Sequence, residues 1–471
     1  MIPQTPVRDW ERQVYDFLNS DVPEDVREDG RRVVADVLSA TVAGATAPQH
    51  EAVFREAALA EGAASVLGTN RRVDPAQAAL LNVTAAITPE MEEGHNRGGH
   101  VGASIVAGAV GVAEANDVDG QTFVDACVRS YELCARLEYA IFAMKARINE
   151  AVPWLVRNPH STWTTVGPAL TAAVCLGLDA DGLHETFRTA ANLAVVSMHD
   201  PYAEGAPSRN FTAGFSAQAG VSAATCAAAG LRGSAAAIEA VYDPFDELLD
   251  DGEFAELFAS LGEEWWISEA YHKQYPSCRY THAPLDALRD ALESVGESDT
   301  DADGPAPLTS ADVERIDVHT YRNGVDMSHS RPGTMTAAKF STPYVLARWV
   351  ADGALTLAHF HETALDDEPV QALTERVEFH VDDEYEAAFP ESWGARVEVR
   401  TRDGETYVGE RAYPSGDYRD PLSEEAFGER TRALLVEGLG LGDGAVDAAV
   451  ESLASVDAAP VAETVQTLRK S

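Results

Sequence analysis

Three segments share a texture that leaves few folds open: HVGASIVAGAVGVAEA (100–115), TTVGPALTAAVCLGL (164–178) and AGFSAQAGVSAATCAAAGL (213–231). Alanine and glycine let helix axes approach closely, and a helix without a polar stripe has to be buried on all sides. A chain with three such segments is expected to fold around a tightly packed centre of helices. The surrounding sequence agrees, reading almost wholly as helix through residue 267. PEDVREDGRRVVADVLSATVAGA, for instance, puts Pro23 at a first helical position and repeats apolar residues at helical spacing.

After Trp266 the texture changes. HAPLDALRDALESVG reads as one helix, and ESDTDADGPAPLTSAD as an acidic, solvated loop. VERIDVHTY, RVEFHVD and ARVEVRTRDGETYVGERAY alternate as strands do, the last folding back at an Asp403-Gly404 hairpin turn. One helix, TAAKFSTPYVLARWVADG, lies between them, and from SEEAFGERTRALLVEGL onward the helical pattern returns. The expected fold is mostly α: a large all-helical domain (1–267), interrupted by a smaller α+β domain (268–417), with C-terminal helices (418–471) rejoining the first.

Charge narrows the function. The formal net charge is −42, from 77 acidic and 35 basic residues. Nucleic acid and anionic membrane both require a cationic surface, so neither is an expected partner. Since 45% of residues are hydrophobic, the acid excess does not signal disorder. It reads as a carboxylate-covered surface held soluble in concentrated salt, as in an extreme halophile. Only Lys145, Lys273, Lys339 and Lys470 are lysines, which fits a preference for the more weakly hydrated arginine. The five cysteines are odd in number and widely spaced, without zinc or disulfide patterns. The N-terminus lacks a signal-peptide pattern and the longest apolar run is too short to span a bilayer, so the expected location is cytoplasmic.

Candidate chemistry sits in polar loops that precede the apolar helices. His100 follows two glycines at the start of one; His160 precedes the second; Arg209 lies in a Gly/Pro/Ser loop before the third. A Gly-rich approach to a helix N-terminus suits an anion, and a histidine there exchanges protons near neutral pH. A capping loop with an exposed histidine meets the same pattern. If the three helices pack together, their loops converge, gathering cationic and titratable groups inside an acidic protein. Glu90, Glu92 and Glu93 beside His95 and His100 have no standard metal spacing, and no metal is expected.

These residues carry a resemblance. In order along the chain, ADVLSATVAGA, LNVTAAITPEMEEGHNRGGHVGASIVAGAVGVAEA, VRSYELCARL, NPHSTWTTVGPALTAA, SRNFTAGFSAQAGVSAA, YHKQYPSCRYTHAPLDAL and AKFSTPYVLARWVADG resemble the signatures of the MmgE/PrpD family. That family includes 2-methylcitrate dehydratase, cis-aconitate decarboxylase and an iminodisuccinate epimerase. The resemblance implies a helical domain with an α+β lid, a homodimer, and no metal or organic cofactor. Carried over by position, it implies active-site roles for Glu90, His100, His160, Arg209, Lys273, Cys278 and Tyr344. The chain departs from the family pattern at several positions. Glu90, Glu92 and Glu93 stand where aspartates are common, Gly94 and Val101 replace a hydroxyl residue and a proline, and Arg209 stands where lysine is frequent.

The implied substrates are small di- and tricarboxylates. Removing a proton α to a carboxylate builds charge beside an existing anion, so an enzyme needs fixed cations and a positioned base. Arg209, Arg279 and Lys273 are candidate clamps, His100 and His160 candidate proton carriers, Glu90 a further catalytic candidate, and Tyr344 a donor to a leaving hydroxyl. Cys278 and His282 are candidate substrate contacts. YPSCRYTH resembles the dehydratase form of its segment; the decarboxylase branch tends to carry histidine where Cys278 stands. The expected function is cofactor-independent dehydration of 2-methylcitrate or a related hydroxy acid, as in propionate metabolism. Decarboxylation of cis-aconitate, epimerisation, and a non-catalytic binding or scaffold role stay open. An iron–sulfur hydratase would need three cysteines around one cluster, and the scattered five do not supply them.

Overall fold

The structure, a computed structural model, describes residues 8–56, 60–97, 99–151, 160, 162–194, 205–234, 236–238, 241, 253–293, 308–440 and 442–470. Most of the acidic stretch at 297–312 and the side chain of Lys145 lie outside the described residues. The chain divides into two compact units, Met1–Asp200, Ser208–His272 and Ser423–Ser471 in the larger, Pro201–Pro207 and Lys273–Leu422 in the smaller. The first division falls after His272 rather than at 268, because Ala270–Tyr271 pairs antiparallel with Gly94–His95 of the larger unit. The second falls at Ser423, whose hydroxyl caps the next helix by accepting the Ala426 N–H at 3.1 Å.

The larger unit is helical. The helices that matter for the site are α1 (Glu24–Gly44), α2 (Pro75–Ile87), α3 (Val101–Ala115), α4 (Gly120–Ala151), α5 (Trp163–Cys175), α6 (Ser208–Ala228) and α7 (Glu424–Leu439). Asp74 starts α2 by accepting the Ala76 N–H, with Pro75 supplying a preset φ at the first position. In α3 every residue from Val101 to Ala113 is buried, as its texture predicts. The third Ala-rich segment differs: α6 buries one face, through Gly214, Ala217, Val221 and Ala224, while Phe215 is 54% exposed. Its alanines are small enough to tolerate either surroundings, so composition there hides the period.

Glycine sets the spacing of α3, α5 and α6. A Cβ on Gly108 would stand 2.9 Å from Pro168 Cβ and 3.3 Å from Ala217 Cβ, and one on Gly220 would overlap the Thr165 carbonyl oxygen. The approach buries hydroxyls, which pair with one another: Ser216 Oγ lies 2.7 Å from Thr164 Oγ1 and 2.6 Å from Thr165 Oγ1.

The smaller unit holds a four-stranded mixed sheet. Its strands are β1 (Val313–Thr320), β2 (Val377–Val381), β3 (Ala395–Thr401) and β4 (Thr406–Arg411), in the order β2-β1-β3-β4. β1 and β2 run parallel; the other pairs are antiparallel. Gly404, with φ +98°, makes the predicted hairpin turn. One face of the sheet, with Ile316, Val318, Val397 and Val399, joins a core with helices His282–Glu293 and Thr342–Asp352. The single helix predicted over 336–353 is two, Met335–Lys339 and Thr342–Asp352, because the Ser341 hydroxyl accepts the Tyr344 N–H and starts the second.

Candidate active site

The segment between α2 and α3 carries Glu90, Glu92, Glu93, His95 and His100, and buried partners fix it. Asp36 of α1 is wholly buried. Its Oδ1 accepts the Glu93 N–H at 2.9 Å; its Oδ2 lies 2.8 Å from His272 Nδ1 and 3.1 Å from Arg430 Nη2 of α7. Burial alone would raise the Asp36 pKa, but the Arg430 charge and the His272 bond outweigh it and hold the carboxyl below its ordinary value. Arg430 also donates to the Met91 carbonyl. Glu93 turns inward, accepting the Gly102 N–H in the first turn of α3 and the Tyr131 hydroxyl at 3.2 Å. Burial, and then the Asp36 charge, push its pKa well up.

His95 is part of the frame. It stacks on Trp266 with centroids 5.6 Å apart and donates from Nε2 to the Trp266 carbonyl at 3.0 Å. Burial, followed by the Arg97 charge, lowers its pKa to about 3, so the ring is neutral. Arg97 lies 4.2 Å over the same indole and pairs with Glu269 at 3.1 Å.

Three residues here have left-handed backbone: Glu90 (φ +55°), Gly99 (φ +89°) and Thr162 (φ +74°). For the two that are not glycine this costs about 1–3 kcal/mol each, and such strain collects where a side chain must be aimed.

His100 ahead of α3, His160 ahead of α5 and Arg209 at the start of α6 come together, His100 with His160 directly and Arg209 through Glu90. His100 and His160 face each other, ring centroids 5.6 Å apart and tilted by 45°. His100 Nδ1 lies 3.1 Å from the Glu93 carbonyl oxygen, which only accepts, so Nδ1 carries the proton and Nε2 the lone pair of the neutral ring. Glu92 Oε1 is 3.3 Å from the same Nδ1. His160 Nδ1 lies 2.6 Å from Oε1 of Glu138, a wholly buried residue of α4. Arg209, buried in the first turn of α6, forms an ion pair with Glu90 and donates to Asn210 Oδ1 at 3.0 Å.

Glu90, His100, His160 and Arg209 are thus brought together within the larger unit. Lys273, Cys278, Arg279, His282 and Tyr344 belong to the smaller one. Lys273 is wholly buried. The Cys278 N–H donates to the Lys339 carbonyl at 2.8 Å. Arg279 pairs with buried Asp417 at 2.5 Å. His282 donates to the Ser277 carbonyl at 3.2 Å, and burial, then Arg279 and Lys273, push its pKa well below the usual value. The Tyr344 hydroxyl donates to the His359 carbonyl at 2.5 Å, so as placed its proton is not aimed at a leaving group. Sequence reasoning misses Glu138, Asp36, His272 and Arg430.

Glu90, Glu92 and His100 place ligand atoms within 4.8 Å of one another, a set that could hold a metal ion. The Arg209 guanidinium already supplies Glu90 with positive charge.

A model of the MmgE/PrpD N-terminal domain matches residues 12–257, and one of the MmgE/PrpD C-terminal domain matches 275–453. The chain belongs to the MmgE/PrpD family. Cis-aconitate decarboxylase of Aspergillus terreus is 23% identical to this MmgE/PrpD chain over 442 residues, covering 89% of the chain and 86% of the relative. The cis-aconitate decarboxylase-like protein oryM of Aspergillus oryzae is 26% identical over 448 residues, covering 89% and 88%. Human cis-aconitate decarboxylase is 25% identical over 282 residues, covering 59% and 55%.

Proposed function

We propose that the protein is a lyase acting on a small di- or tricarboxylate, moving a proton through the imidazoles of His100 and His160. The observation that carries this reading is the facing pair of rings, each anchored through Nδ1 on a different partner, His100 on the Glu93 carbonyl and His160 on Glu138. His100, with its lone pair on Nε2, is the base that takes a proton from the carbon α to a carboxylate; His160 is the acid. A site crowded with carboxyls would repel an anionic substrate if all were charged. Burial pushes Glu93 and Glu138 toward their neutral acids, and Arg209 adds a cation, so the local charge is far less negative than the surface.

Dehydration of 2-methylcitrate or a related hydroxy acid is the first reaction we assign. The α-proton goes to His100, the C–O bond breaks, and the hydroxyl leaves as water with a proton from His160. The segment YPSCRYTH, with Cys278, supports this form. The relatives' names favour a second reaction, in which cis-aconitate loses a carboxylate as carbon dioxide and the carbanion takes the proton from His160. Proton NMR of the protein in molar KCl with citrate, 2-methylcitrate and cis-aconitate separates them. Loss of a hydroxy acid with growth of an alkene signal is expected. Consumption of cis-aconitate alone would replace the first reaction by the second, and turnover of none by folded protein would leave a binding role.

We further propose that no metal takes part. Turnover should survive exhaustive chelation, since Arg209 already holds Glu90; loss with EDTA and rescue by a divalent ion would make Glu90, Glu92 and His100 ligands instead.

A further inference from the structure

Glu138 sits in the interior of α4, thirteen residues before its end at Ala151, where neither loop position nor motif marks it. Yet it is wholly buried, its Oε1 lies 2.6 Å from His160 Nδ1, and its Oε2 has no hydrogen-bond partner among the described residues. The loop before α3 is shaped around it: a Cβ on Gly99 would overlap the Glu138 carboxylate, and the left-handed φ of that residue also favours glycine. A buried acidic side chain of this kind is costly unless it is neutral or paired.

We propose that Glu138 is a positioning residue that holds one proton jointly with His160 and fixes that ring as the site's Nε2–H donor. The argument rests on the reading of His100 and His160 as a proton-transfer pair. Two arrangements of the shared proton are available, a carboxylic acid donating to neutral Nδ1, or a carboxylate accepting from an imidazolium. Both leave a hydrogen on Nε2. When Nε2 gives its proton to substrate, Nδ1 keeps or takes the proton between it and Glu138, and the ring ends neutral with its lone pair on Nε2. His100 is the mirror case, because the Glu93 carbonyl cannot donate and forces the lone pair onto Nε2. The partner of each Nδ1 therefore decides which ring is acid and which is base.

Among the described residues, the groups facing Glu138 include His160, Glu93, Cys134 and the backbone of Gly99. Burial, and then the charge of Glu93, raise its pKa well above the usual value, a direction that favours keeping a proton between Glu138 and His160.

Glu138→Gln keeps shape and removes the transferable proton, since an amide can donate a hydrogen bond to Nδ1 but cannot give up its hydrogen. On whichever acid is turned over, kcat should fall roughly tenfold or more with KM little changed, and the alkaline limb of the rate profile should move to lower pH. Unchanged turnover and an unchanged profile in this variant would overturn the proposal. Nitrogen-15 NMR of histidine-labelled wild-type protein, with His160 assigned from a His160→Gln difference spectrum, gives a reading that needs neither substrate nor a folded Glu138 variant. A protonated Nε2 on His160 is expected; a lone pair on Nε2 would overturn the assignment. If the spectrum is as expected while no polycarboxylate is turned over, the proposed function fails and the Glu138 pairing stands.

Discussion

At the scale of single residues, the ion pair between Glu90 and Arg209 has side chains only 2% and 5% exposed. Removing one member leaves the other charged and dry, so Arg209→Met should cost about 3–5 kcal/mol. Adding Glu90→Gln should restore part of that loss, and thermal melts of the two singles and the double measure the coupling. His95 gives a pH signature. Its folded pKa of about 3 lies below the ordinary 6.5, so the folded state refuses a proton that the unfolded chain accepts. The stability this residue allows is present above about pH 6.5 and lost as pH falls toward 3, at about 1.4 kcal/mol per unit. Denaturant titrations should show a shallower acid limb in His95→Gln. Lys273, wholly buried, is expected to need its compact ammonium; Lys273→Arg should lose at least ~100-fold in turnover while staying folded, and retained turnover would remove it from the catalytic candidates. His100 and His160 are legible in the sequence as polar residues just ahead of apolar helices; Arg209 is read there as a loop residue but lies in the first turn of α6, and Glu90 is reached only through the family resemblance. Glu138 and Asp36 are not legible, since a carboxylate inside a helix reads as an outward face until its partners, far off in sequence, are known.

At the scale of elements, period and turn chemistry place the strands well: Val313–Thr320, Val377–Val381 and the Ala395–Arg411 hairpin all fall within segments that alternate in the sequence. Texture is less informative, because alanine and glycine fit a buried face and a half-exposed one equally, as α6 shows. Glycine also has opposite meanings at different helix positions. In α6, Gly220 rests on the Thr165 carbonyl; in α7, Gly428 has nothing within 4 Å of where a Cβ would stand. Alanine favours a helix over glycine by about 1 kcal/mol. Gly428→Ala should therefore raise the melting temperature, while Gly220→Ala should lower it, the overlap costing ~1–3 kcal/mol or more. Melts of the same sign for both would mean that α5 and α6 are not in close contact.

For the whole molecule, a net charge of −42 leads to the expectation that stability depends on the ionic medium. Diluting salt from about 1 M to 0.1 M lengthens the Debye length from roughly 3 to 10 Å and lets surface carboxylates repel one another. The helical circular-dichroism signal should fall on dialysis into dilute buffer and return with KCl; a protein that stays folded there is not adapted to brine. The Asp36–Arg430 pair has a further consequence, in time rather than in space. The two residues are about 400 positions apart, and a ribosome adding ~5–20 residues per second needs roughly 20 to 80 s to supply the second after the first. Until then Asp36 lacks its arginine and Met91 that donor, and of the Asp36 contacts described only those to the Glu93 N–H and His272 can form. A nascent chain thus cannot complete this clamp until about 400 residues beyond Asp36 have been made, and a ribosome that stops short of Arg430 releases a protein without it.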